Sequence, residues 1–322
     1  MNSEAAIHIE HLSDAIWVTS QDSTYVFNAA SGRLLKFQFR GEMLIQSGPI
    51  ASLWRAPTDN DSGGWIFSFA ERWAKAGLDT LHEHEEAVET FVDNFGRFHC
   101  ASKLVLRTAQ KKTVCRLCSH YTVLASGHLN VTCTFDLSPH LPPLPRIGVL
   151  MQCRATMQQV EWLGLGPHEN YLDRKSSAFL GRHSATVDDL HVPYIVPSDN
   201  GARQEVRWLA LESSASGNKC LFTSKENFNF NASNFSDAEL ARANHQHDLQ
   251  RSDSIHVHLD TFQMGLGGDC SWFPCVHSEF LAPARKRFTF TFVIAGVGGN
   301  ENPSDVFQEL RFSRDTVELT SS

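Results

Sequence analysis

Between residues 129 and 137, apolar Leu129, Val131, Cys133, Phe135 and Leu137 alternate with Asn130, Thr132, Thr134 and Asp136. A period of two is that of a strand with one face in the core. Residues 113–124 are rich in β-formers and lead into this strand through Ala125-Ser126-Gly127-His128, so the pair reads as a hairpin. Residues 255–259 and 288–294 alternate in the same way. Helical signals are few. Residues 68–76 are good helix formers stopped by Gly77; Ser236-Asp237-Ala238-Glu239 has capping-box spacing; Pro303-Ser304-Asp305 opens a last short helix. Four prolines between Pro139 and Pro145 mark a loop, where the chain is expected to cross between sheets. The pattern predicts an all-β, mostly antiparallel sandwich with a few short helices.

Composition supports a large core. Of 322 residues, 42% are hydrophobic, with 22 Phe and 7 Trp to fill the interior. The net charge of −8 comes without a basic cluster, which argues against nucleic acid as a partner. No apolar run approaches the roughly 20 residues that span a bilayer, so no membrane association is expected. The first residues carry neither a basic nor an apolar signal region, which predicts a cytoplasmic protein. Eight scattered Cys then read as reduced, buried thiols. Asn130-Val131-Thr132 and Asn231-Ala232-Ser233 match the glycosylation sequon but mean little without secretion.

Most short motifs have bland readings. Cys115 and Cys118 form a C-x-x-C, but residues three apart on a strand point to opposite faces and cannot clamp one metal. His82-Glu83-His84-Glu85-Glu86 lacks the second His of H-E-x-x-H and reads as a solvated charged face. His245-Gln246-His247 ends a short helix, and residues two apart share no helical face, so capping and packing come before ligation. No metal site is expected. Gly164-Leu165-Gly166-Pro167 reads as a tight turn. The Gly265–Gly268 run reads as a loop that lets backbones approach and presents an aromatic residue. There is no G-x-S-x-G elbow. The most distinctive segment is Trp54-Arg55-Ala56-Pro57-Thr58-Asp59-Asn60-Asp61-Ser62-Gly63-Gly64. Its composition is that of a polar turn. The carboxylates of Asp59 and Asp61 raise acid–base catalysis or calcium, but the EF-hand ligand pattern is incomplete.

These same residues carry a resemblance. The segment from Trp54 to Gly63 resembles the W-R-A-P-T-D-N-D-x-G signature of the large multidomain β-galactosidases of glycoside hydrolase family 2. Residues 162–174, from Trp162-Leu163-Gly164 to Tyr171-Leu172-Asp173-Arg174, resemble that family's W-x-G-x-G-P-x-E-x-Y-x-D-R block. Residues 192–201, with Pro193-Tyr194 and Asn200-Gly201, are similar to its P-Y-x-x-P-x-E-N-G, with Asp199 in place of Glu. Met264-Gly265-Leu266-Gly267-Gly268-Asp269-Cys270-Ser271-Trp272 is similar to M-G-x-G-G-D-x-S-W.

The resemblance runs from about Ile7 to about Ile294 and implies the family's last domain, a galactose mutarotase-like supersandwich. Some members encode that domain as a small subunit beside a large catalytic one. On this reading residues 1–295 are the sandwich, and residues 296–322 are an extension, a short helix or tail without counterpart. The resemblance assigns no catalytic residue and no cofactor to this chain. Both catalytic glutamates, and the expected magnesium and sodium, belong to the partner large catalytic subunit or domain. Trp272 resembles the aromatic wall that stacks on the β-galactoside, and Asp59, Asn60, Asp61 and Gly63 resemble the start of a mobile active-site loop. The stretch from Gly63 to Gly77 looks shorter than in the family. The implied function is a non-catalytic small subunit of a retaining β-galactosidase acting on terminal β-D-galactosides such as lactose. The alternatives are a stand-alone aldose epimerase, which needs a convergent general acid and base, and a carbohydrate-binding module.

Overall fold

The computed structural model describes residues 7–267, 269, 270, 272, 273, 276–283 and 287–312. Among these described residues, sixteen strands form one antiparallel hydrogen-bonded system. The first five are β1 (His8–His11), β2 (Ala15–Ser20), β3 (Ser23–Asn28), β4 (Leu34–Phe39) and β5 (Glu42–Ser52). Two helices follow, α1 (Asp59–Ser62) and α2 (Phe69–Ala76). Next come β6 (His82–Val92), β7 (Phe98–Arg107), β8 (Thr113–Val123), β9 (Leu129–Leu137), β10 (Arg146–Arg154), β11 (Gln159–Gly166) and β12 (Phe179–Thr186). The remainder is α3 (Val187–Leu190), β13 (Arg203–Glu212), β14 (Lys219–Ser233), α4 (Asp237–Arg242), β15 (Ser254–Gln263), β16 (Arg287–Val297) and α5 (Pro303–Phe312).

The main path runs β1-β2-β3-β4-β5-β10-β15-β14-β16-β9-β8-β7-β6, with β13, β11 and β12 branching from β14. The branch needs a strand long enough for three partners. β14 has 15 residues; Lys219–Thr223 lie between β13 and β16, and Asn229–Ser233 pair with β15. The sheet folds over on itself. Phe27 of β3 meets Phe98 of β7 and Tyr121 of β8 at 5.7 and 5.3 Å between ring centroids, although many strands separate them along the sheet. A Cβ on Gly296 of β16 would lie 2.1 Å from the Phe39 ring of β4, so glycine sets the spacing of the layers there. The apolar residues of the alternating strands fill one core between these layers.

The hairpin, the alternating strands and the helix stops are where the pattern puts them. β8 pairs with β9 across a turn with Gly127 at φ +81°. Ser68 accepts a hydrogen bond from Glu71 N at 3.0 Å, and Gly77 closes α2 at φ +68°. Ser236 caps α4 through Glu239 N. The proline loop after β9 carries the chain to β10, with three strands between them in the sheet. Cys115 is buried in the core while Cys118 lies on the opposite face. Among the described cysteines none is disulfide-bonded; five are buried, Cys118 is half-buried and Cys270 is exposed, which departs from the all-buried expectation. His82–Glu86 lie on β6, a largely exposed edge strand. Both sequon asparagines, Asn130 and Asn231, are buried.

Two details differ from the pattern. Gly164 and Gly166 belong to β11 rather than to a turn, because side chains there would strike Val206 and His183, at 2.9 and 2.8 Å from a Cβ. Beyond residue 295, β16 continues through Val297, and α5 lays Phe307 and Leu310 against Trp208, Leu221 and Ala295 in a second apolar cluster. None of the described helices is long and apolar enough to cross a membrane.

Replacing Phe27 with Ala should cost about 3–5 kcal/mol of folding free energy, because its ring joins the two layers. Phe95, 74% exposed, serves as the control and its alanine variant should change stability little. Equilibrium urea unfolding measures both.

Candidate functional site

The turn after Trp54 is built around a buried ion pair. Arg55 and Asp61 are both fully buried; Arg55 Nε donates to Asp61 Oδ2 at 3.0 Å and Nη2 to Oδ1 at 2.7 Å. The remaining guanidinium donors reach the carbonyls of Met264 and Gly265 at 3.1 and 3.2 Å. Burial alone would lower the Arg55 pKa, but the Asp61 carboxylate reverses this and raises it. Asp61 also accepts from Thr58 N at 2.9 Å, and Thr58 Oγ1 accepts from Asp61 N at 3.2 Å, a complete capping box. Gly63 closes this single turn, its N–H reaching Asn60 O.

The first motif block is thereby tied to the last. A Cβ on Gly267 would lie 3.2 Å from Asn60 Nδ2, and one on Gly265 would lie 2.5 Å from Asp173 Oδ2. Glycine at 265 lets the Asp173 carboxylate approach the loop backbone, where it accepts from Leu266 N and Gly267 N, both at 2.9 Å. Asp173 brings in the second block. The third joins through Asp199, whose N–H donates to Ala56 O at 3.0 Å, and through Gly201, whose N–H donates to Glu169 Oε2 at 2.8 Å. Glu169 Oε1 accepts from both Arg174 and Tyr194. Burial and the Glu169 hydrogen bond raise the Tyr194 pKa.

The four blocks line an open cavity of about 520 Å³ whose walls include Asp59, Asn60, Asp173, Arg174, Tyr194 and, from beyond the blocks, His277. His277 Nε2 lies 3.1 Å from Asp269 Oδ1 on the last loop. Trp272 and Phe273, on that loop, are 71% and 55% exposed, so neither ring belongs to the core. The Phe273 ring meets Trp65 edge-on at 6.4 Å, and Ile66 and Phe67 beside Trp65 are also exposed. Gly268, Ser271 and Pro274 of this loop lie outside the described residues.

Of the loop residues singled out in the sequence, Asp59 and Asn60 face the cavity while Asp61 is buried beneath it. The two carboxylates therefore diverge and cannot share a cation or a substrate atom. Pattern reasoning did not single out Asp173, Arg174, Tyr194 and Asp199 as site residues, although all four lie in the resemblance blocks. His277 lies in none of them and carries no signal in the sequence.

Below the cavity floor is a polar layer. Arg146, fully buried, donates to Asp199 Oδ1 at 3.1 Å and Asn231 Oδ1 at 3.2 Å, and its Nε is 3.6 Å from Asp260. Tyr171 OH donates to Asp199 Oδ2 at 3.1 Å. Burial raises the Asp199 pKa, with Arg146 and Arg55 opposing. Burial pushes Asp260 up to about 6, again against Arg146. Asp237 is instead held down at about 2, burial being outweighed by His258 and Arg146.

A family model described as "Beta galactosidase small chain" matches residues 19–294. The chain belongs to that family. A β-galactosidase of Vibrio cholerae serotype O1 is 32% identical over 287 residues, which is 83% of this chain and 26% of that protein. One of Psychromonas ingrahamii is 34% identical over 282 residues, 82% of this chain and 25% of that protein. This small-chain family member thus spans about a quarter of the length of these curated relatives. Among solved structures, a galactose 1-epimerase from Lactobacillus acidophilus NCFM aligns with 92% of this chain and 100% of its own, at 8% identity and a TM-score of 0.47.

Arg55→Met should cost about 3–5 kcal/mol, because it strands the buried Asp61 charge; chemical denaturation measures the loss. Asp260 gives a pH dependence of opposite sense to the usual carboxylate. Its folded pKa, about 6, lies above the ordinary aspartate value of 3.8, so its stabilising contribution is complete below about 3.8 and is lost as pH rises through about 6. Asp237 contributes above 3.8 and loses that contribution as pH falls towards 2. Asp260→Asn should therefore remove a loss on the order of 2 kcal/mol between pH 4 and 7, read from unfolding curves at both pH values.

Proposed function

We propose that this chain works as the small subunit, or the C-terminal part, of a retaining β-galactosidase, and that it shapes the substrate pocket without supplying the reacting groups. The observation that carries this reading is the convergence of four sequence-distant blocks on one cavity, with the loop bearing exposed Trp272 at its side. Membership of the small-chain family supports it, as does the quarter-length match to β-galactosidases.

Retaining hydrolysis needs two carboxyl groups roughly 5 Å apart across the scissile bond, one as nucleophile and one as acid and base. Asp59 and Asp61 cannot form that pair, because one faces the cavity and the other is buried under Arg55. In this reading the large partner provides both carboxylates and holds magnesium and sodium. This chain contributes what such a site also requires: an apolar face for the sugar and a wall that excludes water. The Trp272 indole offers a flat surface to the C–H face of a pyranose, and the Arg55 and Asp173 contacts hold the base of its loop. Trp65, Ile66, Phe67 and Phe273 present an exposed apolar surface that suits a contact with the large partner.

The purified chain alone should not hydrolyse a chromogenic β-galactoside, and activity should appear when a matching large subunit is added. In that assembled enzyme Trp272→Ala should weaken galactoside binding ten- to hundredfold, about 1–3 kcal/mol, with an unchanged melting temperature. Turnover by the isolated chain would defeat the proposal. Normal kinetics in the Trp272→Ala complex would remove Trp272 from the pocket.

A further inference from the structure

The turn after α4 brings together three groups that the galactosidase reading does not use. His245, His247 and Asp248 place their ligand atoms within 4.8 Å of one another at the surface. The helical argument against the two histidines does not apply, because neither is in α4. His245 is the N-cap of a 3-10 turn, Gln246–Asp248, and the two imidazoles stack at 5.1 Å with 14° between their planes. Asp248 lies between them: His245 Nδ1 is 3.5 Å from its Oδ2, and His247 Nε2 is 3.6 Å from its Oδ1.

Those separations exceed the roughly 2.7–3.2 Å of a good N–H···O bond. They run to the two different oxygens of the carboxylate, and each is close to the edge between two donors around one ion. With bonds of about 2.0–2.1 Å, a tetrahedral centre places neighbouring donors roughly 3.4 Å apart. The carboxylate is already oriented, since it accepts the backbone N–H groups of His245 and Asn244 at 2.9 and 3.2 Å. Hydrogen bonds of this kind fix a ligating carboxylate. The nearby Arg242 is paired with Glu239 at 2.7 Å, which offsets the nearby positive charge. The imidazole side chains are 64% and 81% exposed, and the His245 side chain accepts the Asp248 backbone N–H, a bond that ligation through the same nitrogen would replace.

We propose that His245, His247 and Asp248 form a surface site for a first-row divalent transition metal, with Zn²⁺ as the representative ion. Two imidazoles and one carboxylate suit zinc, nickel or copper, whereas magnesium and calcium prefer oxygen donors. Three protein ligands leave at least one position for water or a donor from another molecule. Gln246, between the two histidines, donates to Tyr194 O and lies 3.0 Å from His191 Nε2. A bound ion therefore braces the turn that supports the Tyr194 wall of the cavity.

The test uses the 322-residue chain without a polyhistidine tag. Zn²⁺ is titrated calorimetrically at pH 7.5 into the parent chain and into His247→Gln and His245→Gln, with Mg²⁺ in excess throughout. One equivalent should bind the parent chain, and each substitution should weaken it at least tenfold. The metal-free melting temperatures should stay equal, because both side chains are exposed. Ni²⁺ should broaden NMR signals first around residues 244–248. Absence of saturable Zn²⁺ binding, binding equally tight in both variants, or broadening centred elsewhere would each overturn the proposal. None of these readouts involves galactoside hydrolysis, so they stand or fall apart from the proposed function.

Discussion

The bidentate pair between Arg55 and Asp61 is the interaction on which the site depends. Two fully desolvated charges are costly in a protein interior unless each is nearly saturated with partners. Here Asp61 caps α1 and also receives two donors from Arg55, while Arg55 spends its remaining donors on the carbonyls of Met264 and Gly265. Residues 209 and 210 positions apart in sequence are thereby fixed with little freedom. The position of Asp59 and Asn60 at the cavity, and the base of the loop that carries Trp272, both follow from this pair.

Around it the wall is assembled from glycines and carboxylates in complementary places. Asp173 can grip the backbone N–H groups of Leu266 and Gly267 only because residue 265 has no side chain. Asp199, shorter than the glutamate of the family pattern, is reached from two sides by Arg146 and Tyr171, so the shortened carboxylate is still held. The layer below carries Asp260 and Asp237 in environments that move their proton affinities in opposite directions. The polar floor is organised by the charges of Arg146, Asp199 and Asp260 rather than by apolar packing, whereas the rest of the sandwich is held by interlocked Phe, Leu and Val side chains.

The long strand β14 connects these two regimes. Its N-terminal part lies between β13 and β16 over the apolar core, and its C-terminal part pairs with β15 and supplies Asn231 to the polar layer. One strand thus transmits the position of the hydrophobic layers to the floor of the cavity. The exposed aromatic group at Trp65, Trp272 and Phe273 is the counterpart outside: large rings held in solvent by loops whose bases are locked.

The sequence by itself determined strands β8, β9, β15 and β16, the helices α2, α4 and α5, and the family. Alternation, caps and stop signals are local, and the physics that places Leu129–Leu137 in a strand or Ser68 at a helix start acts within a few residues. The four motif blocks were also legible, but as strings. What the tertiary structure decided is which side of the backbone each motif residue faces. Asp59 and Asp61 have the same chemistry two positions apart, yet one lines a cavity and the other is neutralised in the core, because Arg55 reaches only the second. Gly164 and Gly166 looked like a turn and are strand residues, because the crowding that demands glycine comes from Val206 and His183 on neighbouring strands. His277 joined the cavity with no sequence signal, and His245 and His247 meet because a 3-10 turn, not a helix, carries them. Contacts between residues distant along the chain depend on how the layers close, and no local pattern encodes that closure.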